Sequence, residues 1–222
     1  MIGKLFVIAT PIGNMKDITL RAIDTLKDVD VIFAERPRHS LKLFHHYGIK
    51  KPLYPYNDKN WQRQIETALK LVKDGKNIAL ISDAGTPAIQ DPGYRMVNYF
   101  RQKNIGVVPV PGPCAFVCAL QASGLPTDRF VFLGFLPRSS EKKKKILKTY
   151  GSLSATLIIY ESPLRVKKTL NDIKDSLGER EVVIVRELTK VHEEFLFGTP
   201  SQLIPKLEKI KGECVILVKK SD

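Results

Sequence analysis

The sequence predicts an α/β protein with largely parallel sheets, because short apolar runs alternate with amphipathic helical patterns along the whole chain. One such run, Asn77-Ile78-Ala79-Leu80-Ile81, is followed by the turn Ser82-Asp83-Ala84-Gly85-Thr86-Pro87 and by a helical pattern from Tyr94. Similar turns of Gly, Pro and small polar residues lie at other predicted strand ends. Open α/β sheets bind their ligands at such turns, although an ordinary connection remains the alternative for Ser82–Pro87.

The first half of the chain supplies five predicted strands and the helices between them. Apolar runs predict strands at 5–9, 31–34, 53–56, 77–81 and 106–110, and the proline in the third run is typical of a sheet edge. Apolar residues at helical spacing predict helices at 18–29, 41–47, 65–75 and 94–100. The fifth strand stops at Pro111-Gly112-Pro113, which predicts one domain over residues 1–112 and another over 113–222.

The second half continues the alternation. Strands are predicted at 130–134, 156–160, 182–185 and 214–218, with a hairpin arm at 193–197. Helices are predicted at 114–123, 138–150, 166–177 and 201–210, and the second of these is rich in lysine.

Composition limits the classes of protein that fit. The chain has 222 residues, 43% of them hydrophobic, and we expect a soluble globular protein because no apolar run could span a membrane. No signal peptide is visible, and three cysteines form no disulfide pattern, so we expect a cytoplasmic protein. Cys114 and Cys118 lie one helical turn apart without a further ligand nearby, which favours packing, and no metal site is predicted.

The charge indicates the class of partner. A formal net charge of +13 favours a polyanion such as RNA, although a generally basic proteome would also explain it. The lysine-rich helix carries the candidate RNA contacts Arg138, Lys142 and Lys143, with a solvated helix face as the alternative. Arg38, His39 and Arg165 at strand ends are further candidates for contacts with phosphates.

The turns also limit the ligand. Neither the P-loop spacing nor Gly-x-Gly-x-x-Gly occurs, which disfavours a nucleoside triphosphate or NAD. Ser82, Asp83 and Thr86 offer side-chain oxygens, and Gly85 lets a ligand approach the main chain closely. Such turns suit an adenosine with a flexible polar tail.

Several of these turns belong to longer strings that together resemble one known family. They are Ala9-Thr10-Pro11-Ile12-Gly13-Asn14, Ser82-Asp83-Ala84-Gly85-Thr86-Pro87 with Asp91-Pro92-Gly93-Tyr94, Pro109-Val110-Pro111-Gly112-Pro113, Ala122-Ser123-Gly124-Leu125-Pro126-Thr127-Asp128, Gly134-Phe135-Leu136-Pro137-Arg138, Tyr160-Glu161-Ser162-Pro163 and Arg186-Glu187-Leu188-Thr189-Lys190. The series is similar to the 16S ribosomal RNA ribose-2′-O-methyltransferase I family, within the tetrapyrrole-methylase superfamily.

The resemblance implies two α/β domains with S-adenosylmethionine (SAM) in the cleft between them, and a homodimer. It implies methyl transfer to the ribose 2′-hydroxyl of a decoding-region cytidine in 16S rRNA of the small ribosomal subunit. The cofactor contacts that it implies, together with those from the central turn, are Pro11, Ile12, Gly13, Ser82, Asp83, Gly85, Thr86, Pro87, Ile89, Cys114, Ala115, Tyr160, Leu188 and Glu213.

The chain departs from the family's pattern in two places. The second-strand motif usually reads Ala-Glu-Asp-Thr-Arg-His, whereas here it is Ala34-Glu35-Arg36-Pro37-Arg38-His39, so a base replaces an acid. The family commonly carries a small helical domain after the last strand, and we expect it to be absent here.

A ribose hydroxyl is a weak nucleophile, so a base or a strong hydrogen-bond acceptor beside it should help transfer. Glu187 and Lys190 are the candidate catalytic residues, and a structural ion pair is the alternative. Two other functions stay open. One is methylation of a tetrapyrrole or another small acceptor on the same fold, and the other is binding of SAM or RNA without catalysis.

Overall fold

The structure, a computed structural model, describes residues 2–207 and 211–221. The chain divides into two units, unit 1 (Met1–Cys114) and unit 2 (Ala115–Asp222), and the division lies two residues beyond the predicted one. Each unit holds a five-stranded sheet with helices on both faces. No helix of the described ranges combines the length and the apolar character needed to cross a membrane.

The sheet of unit 1 is entirely parallel, as the sequence predicts. Its strand order is β3-β2-β4-β1-β5, with the proline-bearing strand β3 at the edge. The strands are β1 (Leu5–Ile8), β2 (Val31–Ala34), β3 (Leu53–Pro55), β4 (Ile78–Ile81) and β5 (Val107–Val110). The helices are α1 (Leu20–Asp28), α2 (Pro37–Tyr47), α3 (Trp61–Lys73) and α4 (Tyr94–Gln102), and a 3₁₀ turn covers Met15–Asp17.

Both faces of this sheet are buried, which explains the unbroken apolar runs of its strands. Along β4, Ile78 and Leu80 pack with α3 and α4, whereas Ala79 and Ile81 pack with α1 and α2. This alternation follows from the two-residue period of a strand. The carboxyl ends of the parallel strands therefore meet at one edge of the unit.

Unit 2 has a mixed sheet, which differs from the largely parallel sheet that we expect. In the order β6-β7-β10-β8-β9, strand β10 runs antiparallel to both of its neighbours and β9 pairs antiparallel with β8 as a hairpin arm. Strand direction leaves no trace in a short apolar run. The elements are α5 (Ala115–Ala122), β6 (Phe130–Phe135), α6 (Ser140–Gly151), β7 (Thr156–Glu161), α7 (Pro163–Leu177), β8 (Val182–Arg186), β9 (Glu194–Gly198), α8 (Pro200–Leu203) and β10 (Cys214–Val218).

The helix that the sequence predicts at 201–210 is shorter than expected. Helix α8 is a single turn that ends at Leu203, and a 3₁₀ turn over Ile204–Lys206 follows it. The later part of the prediction, residues 208–210, lies outside the described residues.

A network of buried charges lies between α6, α7 and the end of β7. The Lys143 ammonium group donates a 2.7 Å hydrogen bond to Thr169 and lies 3.1 Å from Asp172. Thr169 in turn donates a 2.6 Å bond to Glu161, whose other carboxylate oxygen is 3.1 Å from Arg165 Nε. Lys143 is fully buried, so the prediction that it contacts RNA is wrong. One member of the lysine run therefore lies in the interior, where Glu161 and Asp172 neutralise its charge.

Replacing Lys143 with methionine should destabilise the protein by about 3 to 5 kcal/mol, because removing it leaves the buried Asp172 carboxylate uncompensated. Urea unfolding followed by circular dichroism would measure the change. Lys145→Met, an exposed position on the same helix, is the matched control and should change stability by less than about 0.5 kcal/mol. Equal stabilities of the two variants would contradict the network's role.

Candidate functional site

In unit 1, the loops after β1, β4 and β5 are tied to one another at the carboxyl edge of the sheet. Thr10 and Gly85 exchange two main-chain hydrogen bonds of 2.9 and 3.0 Å. The Thr86 hydroxyl donates a 3.1 Å bond to the Pro113 carbonyl. Three separate predicted turns thus form one structure, which supports the expectation that they act together.

Gly85 lies where these loops approach most closely. Its φ of +80° favours glycine, and a Cβ there would lie 3.2 Å from Ile12 Cγ2 and 3.7 Å from the Pro113 carbonyl oxygen. Any side chain would therefore fill the space between the three loops. The result is a cradle lined by main chain, which we call the unit 1 cradle (residues 10–13, 82–87 and 111–114).

The hydroxyl groups of Ser82 and Thr86, in the loop after β4, donate hydrogen bonds to main-chain carbonyls of the same loops. Ser82 is 2% exposed, and its hydroxyl lies within hydrogen-bond distance of the Ala84 and Gly85 carbonyls. The sequence predicts that Ser82 and Thr86 offer oxygens to a ligand, whereas the structure uses both hydroxyls as donors to main-chain carbonyls. These two residues fix the shape of the unit 1 cradle.

Arg36, in the altered second-strand motif, contacts Asp83 in the loop after β4. The main-chain N–H of Arg36 donates a 3.2 Å bond to Asp83 Oδ1, and its guanidinium Nε donates to Oδ2. Burial and the nearby Asp83 charge raise the pKa of Glu35, while a hydrogen bond from the main chain of Asp83 and the Arg36 charge partly offset that rise. Arg36 therefore holds Asp83 in an ion pair, and the predicted cofactor contact of Asp83 has to coexist with it.

Beyond the central loop the backbone is strained around an exposed apolar side chain. Ala88 and Gln90 have φ values of 68° and 62°, in the left-handed region that residues with a side chain rarely adopt. Between them, Ile89 is 41% exposed. Such strain is frequent at ligand sites, and the cofactor contact of Ile89 stays a prediction.

The remaining predicted residues of unit 1 differ in exposure, and Pro87 is buried. Pro11, Ile12 and Cys114 are half-buried and Gly13 is exposed. Arg38 and His39 are exposed in the first turn of α2.

In unit 2, Tyr160 connects the end of β7 to the start of α5. Its hydroxyl accepts a 3.1 Å hydrogen bond from the main-chain N–H of Phe116. Ala115 begins α5 beside it, and Leu188 packs partly buried against the same side of the sheet. Three predicted cofactor contacts thus share one face of unit 2, beside its central core.

Glu187, Lys190 and Glu213 form a charged cluster, the unit 2 triad, at the end of β8 and the start of β10. Lys190 Nζ lies 2.9 Å from Glu187 Oε1 and 2.9 Å from Glu213 Oε2. The Glu213 main-chain N–H donates a further 3.1 Å bond to Glu187 Oε1. The two catalytic candidates do form the ion pair that the alternative interpretation describes.

The triad fixes the protonation states of both candidates. Burial alone would raise the pKa of Glu187, but the hydrogen bonds from Lys190 and Glu213 and the charges of Lys190 and Arg186 outweigh it and lower the pKa. Burial alone would lower the pKa of Lys190, but its two carboxylate partners raise it. Lys190 is therefore an ammonium group at neutral pH and cannot accept a proton, so of the two residues only Glu187 can act as an acceptor.

The turn that carries the triad is strained and tightly packed. Glu187 and Thr189 have φ values of 50° and 65°. A Cβ at Gly212 would lie 2.1 Å from Glu187 Oε1, so the carboxylate occupies the space that a side chain there would need. Within the described residues, the buried Thr189 Oγ1 has no hydrogen-bond partner. Sequence reasoning assigned Thr189 no role, and only its place in the Arg186–Lys190 string could have indicated one.

Of the other predicted RNA contacts in unit 2, two side chains are exposed and one is bound to other groups of the protein. Arg138 and Lys142 are exposed. Arg165 is half-buried, and its Nη2 donates a 2.7 Å bond to the Leu136 carbonyl while Nε pairs with Glu161. Arg165 therefore holds the β6–α6 connection in place, which a free phosphate contact would not require. The described part of the chain contains no cluster of three His, Cys, Asp or Glu side chains suited to a metal ion.

Comparison with known proteins gives a consistent family. The model of the Tetrapyrrole (Corrin/Porphyrin) Methylases matches residues 4–204. The ribosomal RNA small subunit methyltransferase I of Thermotoga maritima is 44% identical over 97% of this chain and 98% of that protein. The protein of the same name from Escherichia coli O157:H7 is 46% identical over 97% of this chain and 77% of its own length.

Solved structures share the fold at low sequence identity. A diphthine synthase aligns with a TM-score of 0.76 at 13% identity, over 99% of this chain and 91% of that one. A uroporphyrin-III C-methyltransferase from Thermus thermophilus, solved with S-adenosylhomocysteine, aligns with a TM-score of 0.68 at 16% identity, over 98% and 97% of the two chains. The two-unit α/β architecture is therefore that of the tetrapyrrole methylases.

Replacing Arg36 with methionine should raise the pKa of Glu35 further, because the Arg36 charge lowers it at present. A carbon-detected NMR titration of the Glu35 carboxyl group would measure the shift. Arg38→Met, two residues along and exposed, is the matched control and should leave the pKa unchanged. An unchanged or lower pKa in the Arg36 variant would show that the guanidinium is not held beside these acids.

Proposed function

The chain belongs to the tetrapyrrole methylase family, in the group of the small-subunit ribosomal RNA methyltransferases I, and from this membership we propose that it transfers a methyl group from SAM to 16S rRNA. The acceptor that we propose is the ribose 2′-hydroxyl of a decoding-region cytidine. The observation that carries the proposal is the identity of 44% and more to relatives of that name over nearly the whole chain.

The unit 1 cradle fits SAM by the chemistry of its groups. Main-chain amides and carbonyls around Gly85 suit a neutral adenosine and an amino-acid tail, and the loops lack the lysines that a phosphate cradle would use. Residues of the cradle, with Ile89 beside them, would hold the cofactor in unit 1, and Ala115, Tyr160, Leu188 and Glu213 are the candidates in unit 2. SAM supplies an electrophilic methyl group to the reaction and needs no metal for it.

The unit 2 triad supplies the group that we propose accepts the proton of the ribose hydroxyl. Both hydrogen bonds to the Glu187 carboxylate end on Oε1, and within the described residues no hydrogen bond to Oε2 is formed. Because its lowered pKa keeps Glu187 ionised, Oε2 can accept a hydrogen bond from a ribose hydroxyl and orient its oxygen for an in-line displacement. The same oxygen can take up the proton that the hydroxyl loses when it is methylated. Lys190 acts as a positioning residue, since its ammonium group fixes Glu187 Oε1.

The other functions that the sequence leaves open are less well supported. A tetrapyrrole or another small acceptor is favoured by the name of the family model and by structures such as a cobalt precorrin-4 methyltransferase at 19% identity, and a likeness at that level concerns the fold. The relatives of 44% and more identity are named for ribosomal RNA instead. The net charge of +13 also favours a polyanionic acceptor such as RNA over a small neutral one. Binding of SAM or RNA without catalysis is less well supported, because the relatives of 44% and more identity are named methyltransferases. A homodimer in the cytoplasm remains part of the proposal.

Glu187→Gln should lower the turnover of methyl transfer by at least about 100-fold, because an amide is a far weaker proton acceptor than a carboxylate. The assay measures transfer of radiolabelled methyl from SAM to 30S subunits that lack the modification, with the labelled ribose mapped in the product. SAM affinity, measured by calorimetry, should stay within about threefold of the parent because the substitution leaves the unit 1 cradle intact.

Glu181→Gln is the matched control, since Glu181 precedes β8 and pairs with Lys219 at the opposite end of the same two strands. It should retain full turnover. Lys190→Met should lower turnover less than Glu187→Gln does, because it displaces the Glu187 carboxylate without removing it. Unchanged turnover in Glu187→Gln would remove the residue from the mechanism, and label on a base would refute a 2′-hydroxyl acceptor.

A further inference from the structure

Four aromatic rings of unit 2 form a continuous row on one face of its sheet. Phe116 of α5 stacks on Phe132 with ring centroids 4.4 Å apart and planes 17° from parallel. Phe132 meets Tyr160 edge to face at 4.8 Å, and Tyr160 meets Phe135 at 5.6 Å. We call these four residues the aromatic row. Three of its members are half-buried, whereas the side of the row that ends in Phe135 reaches solvent.

A β-bulge in the edge strand β6 brings Phe135 onto this face. Phe132 pairs with Ile158, but Gly134 pairs with Ile159 and Phe135 with Tyr160, so one extra residue lies between Phe132 and Gly134. Regular alternation would place Phe132 and Phe135 on opposite faces, because they are three residues apart. The bulge, with Gly134 at a φ of 60°, shifts the alternation by one and re-aims Phe135 beside Tyr160.

The re-aimed ring is left open to solvent. Phe135 is 55% exposed, although the opposite face of β6 borders an apolar core that could have buried it. An exposed aromatic ring backed by further rings is a platform on which a planar group can stack.

The surroundings favour a base of single-stranded RNA. Arg138 and Lys142 follow Phe135 in the connection to α6 and in its first turn, and both are exposed. Glu141 is the acidic residue among them, and the charge of this segment stays positive. An enclosed adenine pocket would bury most of its ligand, whereas an open ring beside cationic side chains matches how proteins bind single strands.

We propose that Phe135 is a stacking platform for an unpaired base of the RNA substrate, and that Arg138 and Lys142 bind the adjoining phosphates. The proposal rests on the proposed function and extends it, since it names the recognition element that presents an unstacked nucleotide to unit 2. The RNA has to be single-stranded at that nucleotide, because a paired base would keep its faces stacked within the helix.

The chain contains a single tryptophan, Trp61, which allows a direct test. A Trp61→Phe, Phe135→Trp double variant carries its only indole on the platform. Titration with a short single-stranded RNA should quench its fluorescence by about half or more, as stacking on an indole does. Two probes separate other causes: an abasic ribose-phosphate oligomer supplies charge without bases, and S-adenosylhomocysteine supplies adenine without RNA. Neither should quench.

Phe197 provides the matched control position. It is 52% exposed and lies on β9, the edge strand at the other side of the same sheet. The Trp61→Phe, Phe197→Trp variant should show no base-dependent quenching. Equal quenching at the two positions, quenching by the abasic oligomer, or quenching by S-adenosylhomocysteine alone would each overturn the proposal.

The affinity of the parent protein for the same RNA gives a second readout. Phe135→Ala should weaken binding by about fivefold to 150-fold, the usual range for one stacked base. Phe135→Tyr should restore it, and Phe197→Ala should leave it unchanged. If the parent methylates 30S subunits while Phe135→Ala binds RNA normally, the platform is refuted and the proposed function stands. If base-dependent quenching occurs without any methyl transfer, the platform stands and the proposed function fails.

Discussion

The pairing of β1 with β4 on one side and with β5 on the other is the constraint on which unit 1 depends. Leu5 lies in register with both Ile78 and Val107, so the three strands end at the same level. Their following loops then meet at one edge, where Thr10 and Gly85 can exchange main-chain hydrogen bonds. A cradle built from main chain needs this alignment, because peptide groups cannot adjust their reach as long side chains can.

Charge is used in two ways in this chain. Lys143 and Arg165 are balanced inside unit 2 by Asp172 and Glu161, and Arg36 is balanced by Asp83 in unit 1. Each such pair cancels, so the formal excess of +13 belongs to the rest of the chain. A buried pair such as Lys143–Asp172 carries a cost in desolvation, whereas exposed excess charge attracts a polyanion over a distance set by salt.

The sequence predicts the class of the fold, the parallel sheet of unit 1 and the turns that form its cradle. These predictions succeed because the spacing of apolar residues and the positions of proline and glycine determine the local backbone structure. The antiparallel insertion of β10 was missed, since an apolar strand reads alike in both directions. Lys143 was misplaced because a lysine run gives no sign of which member turns inward. The role of Phe135 depends on a bulge, which shifts a strand by one residue and leaves the spacing of apolar residues almost unchanged.

In unit 2, a carboxylate and a glycine that are distant in the chain share one volume. The Glu187 side chain fills the space that any substituent on Gly212 would need, and the strained backbone of Glu187 holds it there. Over evolutionary time the two positions are therefore not independent. A lineage that keeps the glutamate has to keep the glycine, and losing the glutamate alone does not release position 212, because its φ of +86° favours glycine whatever the space. A larger residue at position 212 would therefore indicate that both the acid and the conformation of this turn have changed.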